Sequence, residues 1–161
     1  MVQHKEEQDI VKLSQLQKKK LPKIVLGRYE SVSFPELNIS SIEAKIDTGA
    51  YSSAIHAHKI WTENIDGHEI LKFDLLDPSI KGYIPQIIES SNFKRKRVRS
   101  SNGRLEERFV IKTILLIGGK KRITDLSLTN RKKMKFPVLI GRKLLGKGFL
   151  VDVSINNIKK Q

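Results

Sequence analysis

Apolar residues fall mostly in short runs, a pattern that predicts a protein built from β-strands. Branched and aromatic residues dominate these runs, and Pro, Asn, Gly or Ser residues separate them. The predicted strands are 24–26, 31–34, 42–46, 53–61, 69–76, 82–89, 94–100, 105–117, 122–129, 136–140 and 149–153, with one short helix at 142–145. Many short strands separated by turn residues are typical of an all-β barrel or sandwich.

Two pairs of these strands are predicted to form hairpins. Asp66-Gly67 separates 53–61 from 69–76, and Asn102-Gly103 separates 94–100 from 105–117; both dipeptides favour tight turns. The second hairpin carries seven cationic residues, which is more positive charge than solubility requires. Its cations are Lys94, Arg95, Lys96, Arg97, Arg99, Arg104 and Arg108, and a second basic run, 131–135, precedes the apolar strand 136–140.

Composition narrows the classes of function. The chain has 161 residues and a formal charge of +14, which favours an anionic partner or substrate. It has no cysteine, which excludes disulfides, thiolate zinc sites and cysteine nucleophiles. No apolar run is long enough to span a membrane and no signal peptide is recognisable, so we expect a cytoplasmic protein without membrane contact. We divide the chain into a polar arm (1–22), one domain (23–155) and a tail (156–161).

One segment carries recognisable chemistry. The strand that ends at Ile46 runs directly into Asp47-Thr48-Gly49-Ala50. These residues suit general acid–base catalysis. The strand end presents the carboxylate, the threonine hydroxyl can lock the loop, and the glycine allows backbone to approach closely. Alone, this tripeptide is a weak signal, and an ordinary turn is the simpler interpretation. About ninety residues later, Leu139-Ile140-Gly141-Arg142 leads an apolar strand into the short helix.

The order and spacing of these two segments resemble the retroviral-type aspartic proteases, the retropepsins. Further segments narrow the resemblance to the bacterial retropepsin-like peptidases associated with RimK-type ATP-grasp glutamate ligases, a family often labelled "ATP-dependent zinc protease". The resemblance covers about residues 23–155. The segments that carry it are 32–37, 45–50, 53–57, 104–111, 128–131, 136–145 and 149–152.

This resemblance implies a closed retropepsin-like β-barrel that works as an aspartic endopeptidase. Such a site needs two carboxylates that share one proton. The chain has one Asp-Thr-Gly, so a C2 homodimer would supply Asp47 twice. Thr48 would tie the two loops together, and Gly49 and Ala50 would offer backbone groups to an extended substrate. Leu139, Ile140, Gly141 and Arg142 would pack beside the loop, and the strand 149–153 would contribute to the dimer sheet.

The charge and the resemblance together indicate an acidic or glutamate-rich peptide as substrate. The basic hairpin would act as a flap or substrate wall through Arg99, Arg104 and Arg108, and His56 would lie near the site. No cofactor is expected. One departure is Tyr51, which stands where retroviral enzymes carry an acid that pairs with the arginine of the Gly-Arg segment. Arg142 therefore needs another partner.

Three alternatives stay open. A zinc peptidase would draw on His56 and His58, whose alternate spacing on a strand would point both rings to one face; core histidines are the simpler interpretation, and we expect no metal. The 141–148 segment nearly matches a phosphate-binding loop, but Gly148 stands where Ser or Thr is required. A basic β-barrel could also bind RNA or ribosomes, although aromatic residues suited to base stacking are scarce.

Overall fold

Strands make up most of the structure, which is a computed structural model describing residues 22–100 and 102–158. The elements are β1 (Ile24–Leu26), β2 (Tyr29–Phe34), a 3-10 turn (Pro35–Leu37), β3 (Ile39–Ile46), β4 (Ser53–Ile65), β5 (His68–Leu75), β6 (Ile88–Ser90), β7 (Phe93–Arg99), β8 (Leu105–Ile117), β9 (Lys120–Thr129), β10 (Val138–Ile140), α1 (Arg142–Leu145) and β11 (Phe149–Val151). The predicted mainly β fold with a short helix at 142–145 is confirmed. Among these described residues, no helix is long and apolar enough to cross a membrane.

Six strands pair with one another in a ring. The order is β10-β3-β2-β8-β9-β4, and β10 pairs with β4 as well as with β3. Strands β5, β6 and β7 extend from this ring, while β1 and β11 form a separate parallel pair. β2 and β8 join at one paired position, Ser33 with Leu116. The closed barrel therefore stays a prediction, because this join is short.

Alternation of side chains along the strands builds the core. In β2, Val32 and Phe34 are buried, while Ser31 and Ser33, which alternate with them, are partly exposed. Residues two apart on a strand share a face, so a period of two places one apolar row inside. The largest fully buried apolar side chains are Phe34, Phe73, Leu26, Ile55, Leu71, Leu115, Ile117, Leu126, Leu128, Ile140 and Leu144. Each stabilises the fold by about 1.5–3 kcal/mol relative to an exposed side chain.

Both predicted hairpins form, and in the first of them the strands β4 and β5 extend further toward the turn than expected. Asp66 and Gly67 have φ of 51° and 79°, the left-handed pair that a two-residue hairpin turn requires. Gly103 is also left-handed, at 80°. β4 pairs with β5 from Ala57 to Ile65, with one register shift, and β8 pairs with β9 from Phe109 to Ile117.

The predicted strand 82–89 is wrong over most of its length. Only Ile88–Ser90 pairs, as β6 against β5. Gly82 has φ of +90°, and Pro85 has no N–H to donate to a neighbouring strand. The apolar residues there, Ile84 and Ile87, are about half exposed and so lack the burial that would favour a strand.

The two ends of the described chain pack together. Arg28 N–H donates to Ile155 O (2.8 Å), and a Cβ on Gly27 would lie 2.8 Å from the same carbonyl oxygen. The buried Glu30 accepts from Gly27 N–H (2.7 Å) and Ile158 N–H (3.4 Å) through Oε1. The segment predicted as a tail thus packs at least to Ile158. The predicted arm, 1–22, lies almost entirely outside the described residues, so these domain boundaries stay predictions.

We expect Glu30→Ala to lower the free energy of unfolding by about 1–3 kcal/mol, because two backbone N–H groups lose their buried acceptor. Urea unfolding followed by far-UV circular dichroism measures the change. Glu43→Ala, on the exposed face of the neighbouring strand β3, is the matched control and should change stability by less than about 0.5 kcal/mol. Equal effects of the two substitutions would contradict the role given to Glu30.

Candidate active site

The Asp47 carboxylate lies at the end of β3, at the edge of the loop that follows the strand. Asp47 N–H donates to Ile140 O (2.9 Å), which continues the pairing of β3 with β10. The loop then folds back, since Gly49 N–H donates to Asp47 Oδ1 (2.9 Å) and Ala50 N–H to Asp47 O (3.3 Å). A Cβ on Gly49 would lie 3.2 Å from Oδ1, so glycine gives the carboxylate room. The second carboxylate oxygen, Oδ2, lies 3.4 Å from Lys45 Nζ.

The start of α1 is attached to the same loop by backbone hydrogen bonds. Arg142 N–H donates to Ala50 O (2.8 Å) and Lys143 N–H to Tyr51 O (3.0 Å). Gly141 N–H donates to Ser53 Oγ (3.1 Å), and a Cβ on Gly141 would lie 2.7 Å from the Tyr51 carbonyl oxygen. Only glycine fits this close approach, which explains the Gly-Arg pair.

The partner of Arg142 is a backbone oxygen. Its Nη1 donates to Thr48 O (3.0 Å), so the guanidinium supports the Asp47 loop although Tyr51 supplies no acid. Tyr51 itself is largely exposed, and Thr48 and Gly49 are exposed as well. The tip of the loop is thus presented to the outside of this chain.

Lys45 shares the face of β3 that carries Asp47. Its Nζ lies 3.4 Å from Asp47 Oδ2, because side chains two apart on a strand point the same way. Leu139 pairs with Lys45 on one side and with Ala54 on the other, and it is half-exposed between the buried Val138 and Ile140. Leu139 therefore lies beside Lys45 on the sheet, whereas Ile140 belongs to the core.

A second cation close to the carboxylate is Arg131, in the loop between β9 and β10. It is half-buried, and this burial lowers the pKa of Arg131. The charge of Arg108 lowers that pKa further, while the Asp47 carboxylate acts in the opposite direction. Arg131, Arg108 and Asp47 are therefore close enough to interact electrostatically. Arg108 also forms an ion pair with Glu106 (3.0 Å).

The other predicted substrate-binding arginines lie further along the hairpin. Arg99 is opposite Leu105 at the end of β7, and its Nη1 donates to Gly103 O (3.2 Å) within the turn. Arg104 is exposed beside it. Arg95 is engaged elsewhere, because it pairs with Glu69 and Glu107 and lies over the rings of Phe93 and Phe109. Substrate contact by Arg99 and Arg104 stays a prediction.

His56 is one of the most buried polar residues. Its side chain is 2% exposed; Nε2 is 3.0 Å from Asp77 Oδ2, and Nδ1 accepts from Arg131 N–H (2.9 Å). These contacts leave the ring no open face toward a substrate. The expectation that His56 and His58 share one face is wrong: the β4–β5 register slips between Ala57 and Lys59, and His58 is exposed.

Asp77 completes this buried pair. Hydrogen bonds from the Ser79 hydroxyl and backbone N–H, together with the contact to His56, outweigh burial and lower the pKa of Asp77 to about 2.

Within residues 22–100 and 102–158, no group of three or more His, Cys, Asp or Glu side chains is arranged to hold a metal ion. Gly148, the position that departs from a phosphate-binding loop, is left-handed (φ 100°) and leads into β11.

Sequence reasoning missed Lys45 and Arg131. The signal for Lys45 was available, because period-two alternation places it beside Asp47. Arg131 was recognised only as part of a basic run, since its approach to Asp47 depends on how the loop before β10 folds. Tyr29 was also missed: it pairs with Lys45 across the sheet, and its ring stacks on Phe136 at 5.6 Å.

Comparison with known proteins adds two kinds of relative. Curated proteins named "Probable alpha-L-glutamate ligase" are 35% identical over 132 residues in Shewanella halifaxensis and in Shewanella pealeana, and 33% identical over 135 residues in Desulfotalea psychrophila. These matches span 82%, 82% and 84% of this chain but only 29% of each relative. A solved structure, protein Lpg0085 of unknown function from Legionella pneumophila, is 25% identical with a TM-score of 0.66, over 84% of this chain and 97% of that one.

A family model described as "Retropepsin-like aspartic endopeptidase RimB" matches residues 25–161. This range includes the Asp47 loop, the Gly141-Arg142 turn and every strand that positions them except the first residue of β1. The chain therefore belongs to the RimB-like family of retropepsin-like aspartic endopeptidases.

Proposed function

We propose that this protein is a homodimeric aspartic endopeptidase in which Asp47 of each subunit supplies half of the catalytic pair. The observation that carries the proposal is the Asp47 loop itself. One carboxylate oxygen is held by Gly49 N–H, the other lies 3.4 Å from Lys45 Nζ, and the loop is braced by Arg142. The exposed Thr48 and Gly49 at the tip of this loop support its contact with the same loop of a second copy.

The chemistry follows from two carboxylates at short distance. They cannot both ionise cheaply, so the pair holds one proton. The ionised carboxylate takes a proton from water, whose oxygen attacks the carbonyl carbon of the peptide bond. The protonated carboxyl donates its proton to the carbonyl oxygen. The tetrahedral intermediate then collapses: one carboxyl donates a proton to the nitrogen, the other takes a proton from a hydroxyl group, and the C–N bond breaks. The amine leaves, and the pair again holds one proton.

Two features support a dimer. This chain carries one copy of the Asp-Thr-Gly loop, whose Thr48 and Gly49 are exposed. The small β1–β11 sheet also presents apolar side chains to the outside: Val25 is 41% and Leu150 is 50% exposed. A second copy would cover both features through one symmetric contact.

The substrate we propose is an acidic, glutamate-rich peptide. Lys45 lies 3.4 Å from the candidate carboxylate, and Arg131 interacts electrostatically both with that carboxylate and with Arg108. The whole chain carries +14. Charge of one sign around a cleft raises the local concentration of a substrate of the opposite sign. The relatives named as probable glutamate ligases carry a segment like this one within longer chains, which associates this domain with glutamate chemistry.

We expect Asp47→Asn to reduce peptide hydrolysis by about 10³-fold or more, because the amide can neither accept the proton of water nor share one. Fluorogenic peptide cleavage measures the rate. Asp66→Asn, an exposed change in a turn that accepts either residue, is the control and should leave the rate unchanged. A pepstatin-type inhibitor should block the wild type, whereas a chelator should not. Full activity of Asp47→Asn, or loss with the chelator alone, would disprove the aspartic mechanism.

We expect oligoglutamate peptides to be cleaved with higher kcat/KM than matched oligoglutamine peptides, because ionised side chains are drawn to the cations around Asp47. The advantage should fall as salt rises from about 0.05 to 0.5 M, since screening shortens the reach of each charge. Equal rates at low salt would show that charge does not determine which peptide is cleaved. RNA binding that depends on salt and is unchanged in Asp47→Asn would instead support the nucleic-acid alternative.

We expect Leu150→Glu to weaken dimerisation, because two like charges would meet where the β1–β11 sheets are proposed to join. Sedimentation velocity should show more monomer, and activity per chain should fall at low protein concentration and recover as concentration rises. Ile123→Glu, on a similarly exposed apolar residue of β9, should alter neither property. A monomer that is fully active would contradict the two-subunit site.

A further inference from the structure

His56 uses all four of its hydrogen-bonding groups, and each reaches a different residue. Its backbone N–H donates to Pro137 O (2.8 Å), and its backbone O accepts from Leu76 N–H (2.8 Å). The ring Nδ1 accepts from Arg131 N–H (2.9 Å), so the ring proton sits on Nε2, which donates to Asp77 Oδ2 (3.0 Å). A buried polar network with every group satisfied holds its neighbours in one geometry.

Two of these bonds fasten the loop between β9 and β10 at both ends. Pro137 lies at its end and Arg131 near its start, and both are attached to His56. The loop is also closed on itself, because Arg131 Nε donates to Phe136 O (3.2 Å). The backbone and the first part of the Arg131 side chain are therefore fixed before any ligand arrives.

The far end of Arg131 is available for a ligand. Among the described residues, its Nη1 and Nη2 atoms have no hydrogen-bond partner. The Phe136 it contacts stacks on Tyr29, which pairs with Lys45, and Lys45 lies against Asp47. The fixed loop thus joins the side of the sheet that carries the candidate carboxylate.

We propose that Arg131 is a specificity-determining residue that binds an anionic group of the peptide beside Asp47, and that His56, held by Asp77, is its positioning residue. The inference rests on the proposed peptidase function. Asp77 stays ionised because Ser79 and His56 donate to it, and its charge keeps the ring proton on Nε2. The Nδ1 lone pair then stays free for Arg131 N–H.

The role of Arg131 can be measured without turnover, in full-length Asp47→Asn protein. We expect Arg131→Gln in that background to weaken oligoglutamate binding about tenfold by calorimetry, and to leave oligoglutamine binding unchanged, because one charge-assisted hydrogen-bonding partner is lost. Lys133→Gln removes the same charge from an exposed position in the same loop. It should change binding less than about twofold.

The positioning role of His56 requires a double-mutant cycle. His56→Gln removes the acceptor at Nδ1 while keeping a polar group toward Asp77; we expect it to weaken oligoglutamate binding as much as Arg131→Gln. The double variant should lose no more than either single one, because both changes act on the same contact. His56→Asn, whose side-chain oxygen stands near Nδ1, should restore binding, and it provides a second variant if His56→Gln does not fold.

Each result decides the inference separately from the proposed function. No oligoglutamate binding to Asp47→Asn protein, equal effects of Arg131→Gln and Lys133→Gln, or fully additive losses for His56 and Arg131 would overturn it. If the binding results are as expected while the wild type hydrolyses no peptide, the proposed peptidase function fails and the assignment of Arg131 and His56 stands. If hydrolysis occurs but Arg131→Gln leaves oligoglutamate KM unchanged, the assignment alone fails.

Discussion

The close backbone contact between the 50–53 segment and the start of α1 is the constraint on which the candidate site depends. Gly141 lies so near the Tyr51 and Ser52 carbonyl oxygens that a Cβ would come within 2.7 Å of each. This approach lets Arg142 and Lys143 donate their N–H groups to that segment. The Asp47 loop is thereby held on one side by β10 and on the other by the helix. Its carboxylate is placed by backbone contacts rather than by its own side-chain flexibility.

The same contact explains how the loop tolerates Tyr51. An acid at that position would give Arg142 a charged partner, but the guanidinium reaches the Thr48 carbonyl instead. A hydrogen bond from a charged donor to a carbonyl stabilises less than a paired ion, yet it acts on the loop that carries the carboxylate. Tyr51 itself lies exposed at the surface.

Cations in this protein differ in what they can do, because some are already paired. Arg95 is held by Glu69 and Glu107, and Arg108 contacts Glu106. Arg131, in contrast, donates hydrogen bonds within the described residues only through its backbone N–H and its Nε. Net charge alone therefore does not distinguish the paired arginines of the hairpin from Arg131 in the loop before β10. The buried His56–Asp77 pair contacts this loop through the hydrogen bond from Arg131 N–H to His56 Nδ1.

Local patterns were sufficient to predict most of the strands, both hairpin turns, the helix at 142–145 and the position of Asp47 directly after a strand, because alternation, turn residues and a short loop motif depend on neighbouring residues. The strand expected at 82–89 failed where an apolar run lacked a partner. Local patterns also did not predict three other features: the face on which His58 lies, the partner of Arg142 and the approach of Arg131 to Asp47. Each depends on a register slip or on contacts between residues 75 to 94 positions apart in the chain. The sequence alone sets which residues stand in each strand and turn, the Asp47 loop included. The tertiary structure decides which of them meet, because packing alone brings distant segments within hydrogen-bonding distance.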